Sequence, residues 1–226
     1  SSDVCSSDLT LNFGVGGYGT GQSWLSWQID ARRFHPQLIL HAIYLENDLR
    51  DNLEGSNGNN QAPTFYLQGK NLFIKSDFLA TPGYRFRTSW IGGFSDWITQ
   101  NSRVAQLVNQ IKYKHNQRAG QECPKTGCTS FPLGPDGTKL YGPSEGDLRP
   151  AWPLMLAILH RWQLQVHSEN SEFVVTSLTT PPQMWPDREE RDRQAVRHQL
   201  DWFRPEKTLA KLLHSYKIPY IPIAPS

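Results

Sequence analysis

Residues 12–20 read Asn-Phe-Gly-Val-Gly-Gly-Tyr-Gly-Thr, between a short apolar run (Leu9, Leu11, Phe13) and a helical pattern that starts near Gln22. Glycine has no Cβ, so such a turn lets backbone N–H groups come close to a partner. The helix N-terminus behind it adds unpaired donors and the positive end of a helix dipole. The chemistry this serves is the holding of negative charge: a phosphate, a carboxylate or a developing oxyanion.

A second donor lies further on. Residues 37–45 (Gln-Leu-Ile-Leu-His-Ala-Ile-Tyr-Leu) form a nearly continuous apolar run after Pro36, the pattern of a parallel strand buried on both faces. Glu46-Asn47-Asp48 follows, which puts Asn47 at the carboxyl end of that strand, where open α/β sheets place their sites. A side-chain amide there is a neutral donor that can face the same point as the glycine-turn amides. Two donor sets on neighbouring strand ends, with no metal ligand between them, describe an oxyanion hole more readily than a cofactor site. A dinucleotide is the rival reading, because Gly14, Gly16 and Gly19 also fit G-x-G-x-x-G. That motif expects an acidic ribose partner about 20 residues on and a second βα unit. Glu46 is too distant, and a polar Gly/Asn-rich stretch follows it.

In these two blocks the chain resembles the SGNH/GDSL hydrolases. Asn12–Thr20 is similar to the family's second block, and alignment on the Asn makes Gly17 the backbone donor. Glu46-Asn47-Asp48 is similar to the third block, with Asn47 as the side-chain donor and Glu46 where the family usually has glycine. Residues 172–182 resemble the family's fourth sheet strand, and 203–225 resemble the last helix and strand before its catalytic loop. The motifs are short, and their order along roughly two-thirds of the chain carries the resemblance. It implies a three-layer α/β/α sandwich with a parallel, flavodoxin-like sheet. The activity implied is hydrolysis of a carbohydrate or lipid ester through a serine acyl-enzyme, or O-acyl transfer to a sugar hydroxyl. A non-catalytic glycan-binding or scaffolding relative is the alternative from another class.

The family's Gly-Asp-Ser turn does not precede Asn12, and none of the seven histidines has Asp three positions before it. The chain therefore reads as an interior fragment, truncated at both ends of the fold, that carries an oxyanion hole without nucleophile or base and is expected to be inactive as it stands. Ser23 is the nearest hydroxyl to the turn and has no histidine beside it in sequence. Residues 1–9 read as a non-native or disordered leader, and 10–226 as one truncated domain with an insertion at about 53–150.

The elements that must position these groups follow from periodicity. A helix over 21–34 should put Trp24, Trp27, Ala31 and Phe34 on one face. Residues 10–13 should lie beside the 37–45 strand. Thr64–Leu67 and Asn71–Ile74 flank Gln-Gly-Lys as a hairpin. A helix near 97–113 shows Val104, Leu107, Val108 and Ile111 on one side, and 114–150 should be irregular. Helix 151–168 leads to a strand at 172–178. Pro205 opens a last helix before a strand at 218–223. Alternating strands and helices predict a parallel sheet covered on both faces.

Composition narrows the partners. Lys plus Arg total 23 against 21 for Asp plus Glu, a formal charge of +2, which is too balanced for a nucleic-acid surface. No apolar stretch is long enough to span a membrane. The expected partner is a small-molecule or glycan ester, with no cofactor and no metal, and the residues set no oligomeric state. Cys123 and Cys128 in Cys-Pro-Lys-Thr-Gly-Cys could close a small disulfide and favour a periplasmic or secreted setting; free thiols are the alternative. Trp24, Trp27, Trp152 and Trp162 fall on helix faces as core, while Trp90 and Trp185 are freer to line a cleft. His41 is read as a core histidine, Asp187–Arg193 as a solvated helix face, and Asp48 as ordering the turn rather than pairing with Asp51 for acid–base work.

Overall fold

A computed structural model describes residues 9–53, 62–120, 131, 133 and 136–223, with side chains described only to 112 in the helix that ends at 120. The Cys123–Cys128 pair and the proposed leader up to residue 8 lie outside the described residues. The chain is mixed α/β. Its main sheet has three parallel strands, β1 (Leu38–Ile43), β4 (Glu172–Ser177) and β5 (Tyr220–Pro222), in the order β1-β4-β5. Between β1 and β4 in sequence lies an antiparallel hairpin, β2 (Thr64–Gln68) and β3 (Asn71–Lys75), turning at Gly69–Lys70.

Helix α7 (Ala151–Ser168) is the centre of the core. Its apolar stripe Trp152, Leu156, Leu159, Trp162, Val166 is buried, and Pro153 sits in the first turn, where a missing N–H costs no helical bond. The inward face of the sheet meets it: the Trp162 ring packs at a tilt against Phe173 of β4, His41 of β1 and Trp27. Helix α1 (Thr20–Ser26) packs on α7. It runs on through a π-turn at Trp27–Ala31 and a 3-10 turn at Arg32–Phe34. Trp24, Trp27 and Ala31 are buried as their spacing predicts, but Phe34 is 50% exposed, with its ring against that of Phe13. The π-turn adds a residue to one turn, so the positions after it are rotated off the buried face.

Two expectations about the sheet are corrected. Residues 10–13 form no strand and pair with nothing in the sheet. Strand β1 is not buried on both faces: His41 and Ile43 are buried, whereas Leu38, Leu40 and Ala42 are exposed. The topology explains this. Both crossovers, β1 to β4 and β4 to β5, move the same way across the sheet. Right-handed crossovers in one direction place their helices on one face. The opposite face, with Leu38, Leu40 and Ile221, is left open to solvent among the described residues.

The remaining elements continue the alternation. Helix α8 (Arg188–His198) has no buried residue and is N-capped by Asp187, whose carboxylate accepts the Glu190 N–H at 2.9 Å. Helix α9 (Arg204–Ser215) has Pro205 in its first turn and buries Leu209 and Leu213 before the chain enters β5. Within the insertion, the helix expected near 97–113 is two, α4 (Trp90–Asn101) and α5 (Arg103–Gly120), broken at Ser102 and preceded by α3 (Pro82–Thr88). The stretch read as irregular contains α6 (Gly137–Tyr141), whose Leu140 and Tyr141 join the core. No helix among the described residues is long and apolar enough to cross a membrane.

Candidate functional site

The chain leaves β1 at Ile43 and enters helix α2 (Leu45–Asp51) within two residues. Asn47 therefore sits in the first turn of a helix at the carboxyl end of the strand. Every polar side chain from 46 to 52 has a holding role. The Asp48 carboxylate accepts the N–H of Tyr44, the residue that caps the helix, at 2.8 Å. Burial pushes the Asp48 carboxyl up to about 7, with the Tyr44 N–H opposing and the neighbouring Asp51 adding to the rise. Arg50 forks onto Asp136, just before α6, and reaches Asp147 at 3.3 Å. That guanidinium holds the Asp136 carboxyl below its ordinary range. Glu46, where the resemblance expects glycine, has no positive φ, so the backbone has no need of glycine there. Its carboxylate instead accepts the hydroxyls of Tyr44 at 2.8 Å and Tyr141 at 3.0 Å, and Tyr141 meets Thr180 Oγ1 at 2.7 Å.

The glycine stretch docks on the far end of this helix. Tyr18 N–H donates to the Val15 carbonyl at 3.2 Å, closing a β-turn around Gly16 and Gly17. Gly17 has φ +84°, the value a type II turn needs at its second central position and one that side chains with a Cβ avoid. Gly19 and Gly21 serve a different purpose. A Cβ on Gly19 would lie 2.8 Å from Asp51 Cβ, and one on Gly21 would lie 2.2 Å from the Phe65 ring. Gly21 N–H donates to Asn52 Oδ1 at 2.9 Å, and Asn52 Nδ2 donates to the Asp48 carbonyl at 2.6 Å. Asn52 is thus a buried staple between α1 and α2.

The two predicted donors stand as follows. Gly17 is exposed, and its N–H makes no hydrogen bond among the described residues. Asn47 donates from Nδ2 to Asp51 Oδ2 at 2.9 Å, and its Oδ1 is buried without a partner among the described residues. Burial raises the Asp51 carboxyl, with the Asn47 hydrogen bond opposing. The structure brings the elements that carry the two donors together through Gly19 with Asp51 and Gly21 with Asn52; no hydrogen bond joins Gly17 to Asn47 directly. Asn52 was not singled out by the sequence, and its partner Gly21 lies 31 residues away in the chain.

Other candidates settle into structural roles. His41 is buried against Trp162, ring centroids 4.8 Å apart, and burial lowers its imidazole to about 4, so it is neutral at pH 7 and placed as a core residue. Trp90 is exposed on α4, and Trp185 packs on Phe131. Ser177, at the end of β4, is buried with its hydroxyl 2.5 Å from the Tyr220 hydroxyl, a pair without a histidine. Residues 9–13, where a dinucleotide turn would have its strand ahead of Gly14, form none. Among the described residues no group of three or more His, Cys, Asp or Glu is placed to hold a metal ion. Compared with known proteins, the chain matches no family model, no curated protein and no solved structure.

Proposed function

We propose that this chain is the oxyanion-binding part of an SGNH/GDSL-type serine hydrolase, whose three-layer, flavodoxin-like fold would cover the open face of the sheet. The observation that carries the reading is the docking of the glycine turn onto the Asn47 helix at the carboxyl end of β1, through Gly19 against Asp51 and Gly21 N–H on Asn52. That arrangement puts a backbone donor with no competing bond among the described residues and a side-chain amide on two segments that pack on one another. An amide carries two N–H donors. Asp51 takes one from Asn47 and so orients the group, which leaves the second for a ligand. In this mechanism a serine attacks an ester carbonyl, a histidine takes its proton, and Gly17 N–H with Asn47 Nδ2 holds the tetrahedral oxyanion until the alcohol leaves. The substrate class is a carbohydrate or lipid ester, and an alcohol acceptor in place of water would make the reaction an O-acyl transfer.

The nucleophile and base of that mechanism are absent from the 226 residues as Gly-Asp-Ser and Asp-x-x-His. The purified chain should therefore neither hydrolyse p-nitrophenyl acetate above an albumin control nor take up a fluorophosphonate. In a longer reading frame that carries both motifs, Asn47→Ala should lower kcat by about 10²–10³, the usual effect of losing one oxyanion donor. Its cost in stability should be about 1 kcal/mol, for the one hydrogen bond to Asp51. Stoichiometric labelling of a serine in the 226-residue chain, or a longer frame without either motif, would remove this reading.

A further inference from the structure

Helices α3 to α5 carry apolar side chains that the core does not use. On α4, Trp90, Phe94 and Trp97 follow one another at helical spacing, and Trp90 is 81% and Trp97 60% exposed. The rings of Phe94 and Trp97 stack 6.1 Å apart with 12° between their planes. On α5, Val104, Leu107 and Ile111 repeat the stripe, with Val104 71% exposed. Among the described residues, none of these side chains belongs to the buried core or packs against it. The same segment, 82–112, is cationic: Arg85, Arg87, Arg103 and Lys112 stand against a single acid, Asp96. No ion pair among the described residues engages Arg85, Arg103 or Lys112.

We infer that α3–α5 is a membrane-docking arm that lays its Trp/Phe stripe into the surface of an anionic phospholipid bilayer. An apolar helix face alone would fit many occupants; the surrounding charge selects this one. The headgroup region takes both halves of the pattern at once. Apolar rings enter the acyl boundary, indole N–H groups stay in the wet interface, and arginine and lysine meet the phosphates. Neither helix spans the bilayer, so the attachment is peripheral and reversible. Each cation near an anionic surface strengthens binding about fivefold. The reading is independent of the ester chemistry, because the arm contributes neither Gly17 nor Asn47. It would hold the site beside a membrane surface, where a lipid or surface-glycan ester is at hand.

Flotation with extruded vesicles tests this on the whole chain. With phosphatidylcholine containing about one-third phosphatidylglycerol the protein should float; with phosphatidylcholine alone it should stay in the dense fraction. Binding should weaken as salt rises from about 0.1 M to 1 M, where screening shortens from about 10 Å to 3 Å. Trp90→Ala with Trp97→Ala should cut the bound fraction at least tenfold and leave the far-UV circular dichroism unchanged, with at most a small shift in melting temperature from the lost Phe94 stack. Arg85→Glu with Arg103→Glu should abolish the preference for anionic vesicles. Failure to float with either vesicle would overturn the inference. So would equal flotation with both, or a concentration-dependent dimer that the Trp variant dissociates while vesicles bind neither protein.

Discussion

The Asp48 carboxyl is buried at the head of α2, where it accepts the Tyr44 N–H, so its titration is a direct probe of the geometry. Burial lifts it from the ordinary value near 3.8 to about 7, against the pull of the Tyr44 N–H. A carboxyl raised on folding holds its proton in the native state while the unfolded chain has already released it. Its contribution is therefore fully present below pH 4, declines as pH rises toward 7, and is flat above that. At about 1.4 kcal/mol per unit, a rise of about three units is worth up to roughly 4 kcal/mol. Asp48→Asn keeps an oxygen to accept the Tyr44 N–H and cannot ionise. In urea melts from pH 4 to 8, the variant's stability relative to the parent should climb between pH 4 and 7 by a few kcal/mol and then level off. Asp51 titrates beside it, so the midpoint of that climb belongs to the pair. A difference that stays constant across the range would refute the burial argument, because it would mean that Asp48 is solvated in the native state.

Two packing predictions test how the glycine stretch docks. Gly21→Ala puts a methyl 2.2 Å from the Phe65 ring and should cost about 1–3 kcal/mol in a thermal or urea melt; adding Phe65→Leu should recover part of that loss, and additive losses would show that the two do not touch. Asn52→Ala removes two buried hydrogen bonds, at 2.9 and 2.6 Å, and leaves the Gly21 N–H unpaired, for an expected loss of about 2–4 kcal/mol. A change under about 0.5 kcal/mol would mean that α1 and α2 are not held together there.

What could be read from the sequence was set by how locally each feature is decided. Helix α7 was legible because its stripe from Trp152 to Val166 repeats at helical spacing and its bounds are marked by neighbours in the chain. The hairpin at 64–75 was legible for the same reason, two apolar runs around one glycine. The naked face of β1 was not. Leu38 and Leu40 are as apolar as Ile39 and Ile43, and which of them is covered depends on crossover helices elsewhere in the chain. Phe34 was misplaced by a single π-turn, which shifts phase without altering composition. The α5 stripe at 104–111 was visible as a stripe, but periodicity does not say what a face meets.

The glycine block shows the same limit at the site. Spacing alone treats Gly14, Gly16, Gly17, Gly19 and Gly21 as interchangeable members of one flexible turn. Their surroundings separate them. Gly19 and Gly21 are small because Asp51 and Phe65 occupy the space a Cβ would need, and Gly21 has spent its N–H on Asn52. Those two glycines are accounted for by packing. Gly17 is not: nothing lies within 4 Å of its would-be Cβ, and the requirement for glycine comes from φ +84° alone. The Tyr18 N–H on the Val15 carbonyl at 3.2 Å closes the turn, and the Gly17 N–H is left without a partner among the described residues. In the proposed mechanism that N–H is the group that would hold the negative oxygen, whereas Gly21, whose N–H is bonded to Asn52, has none to give.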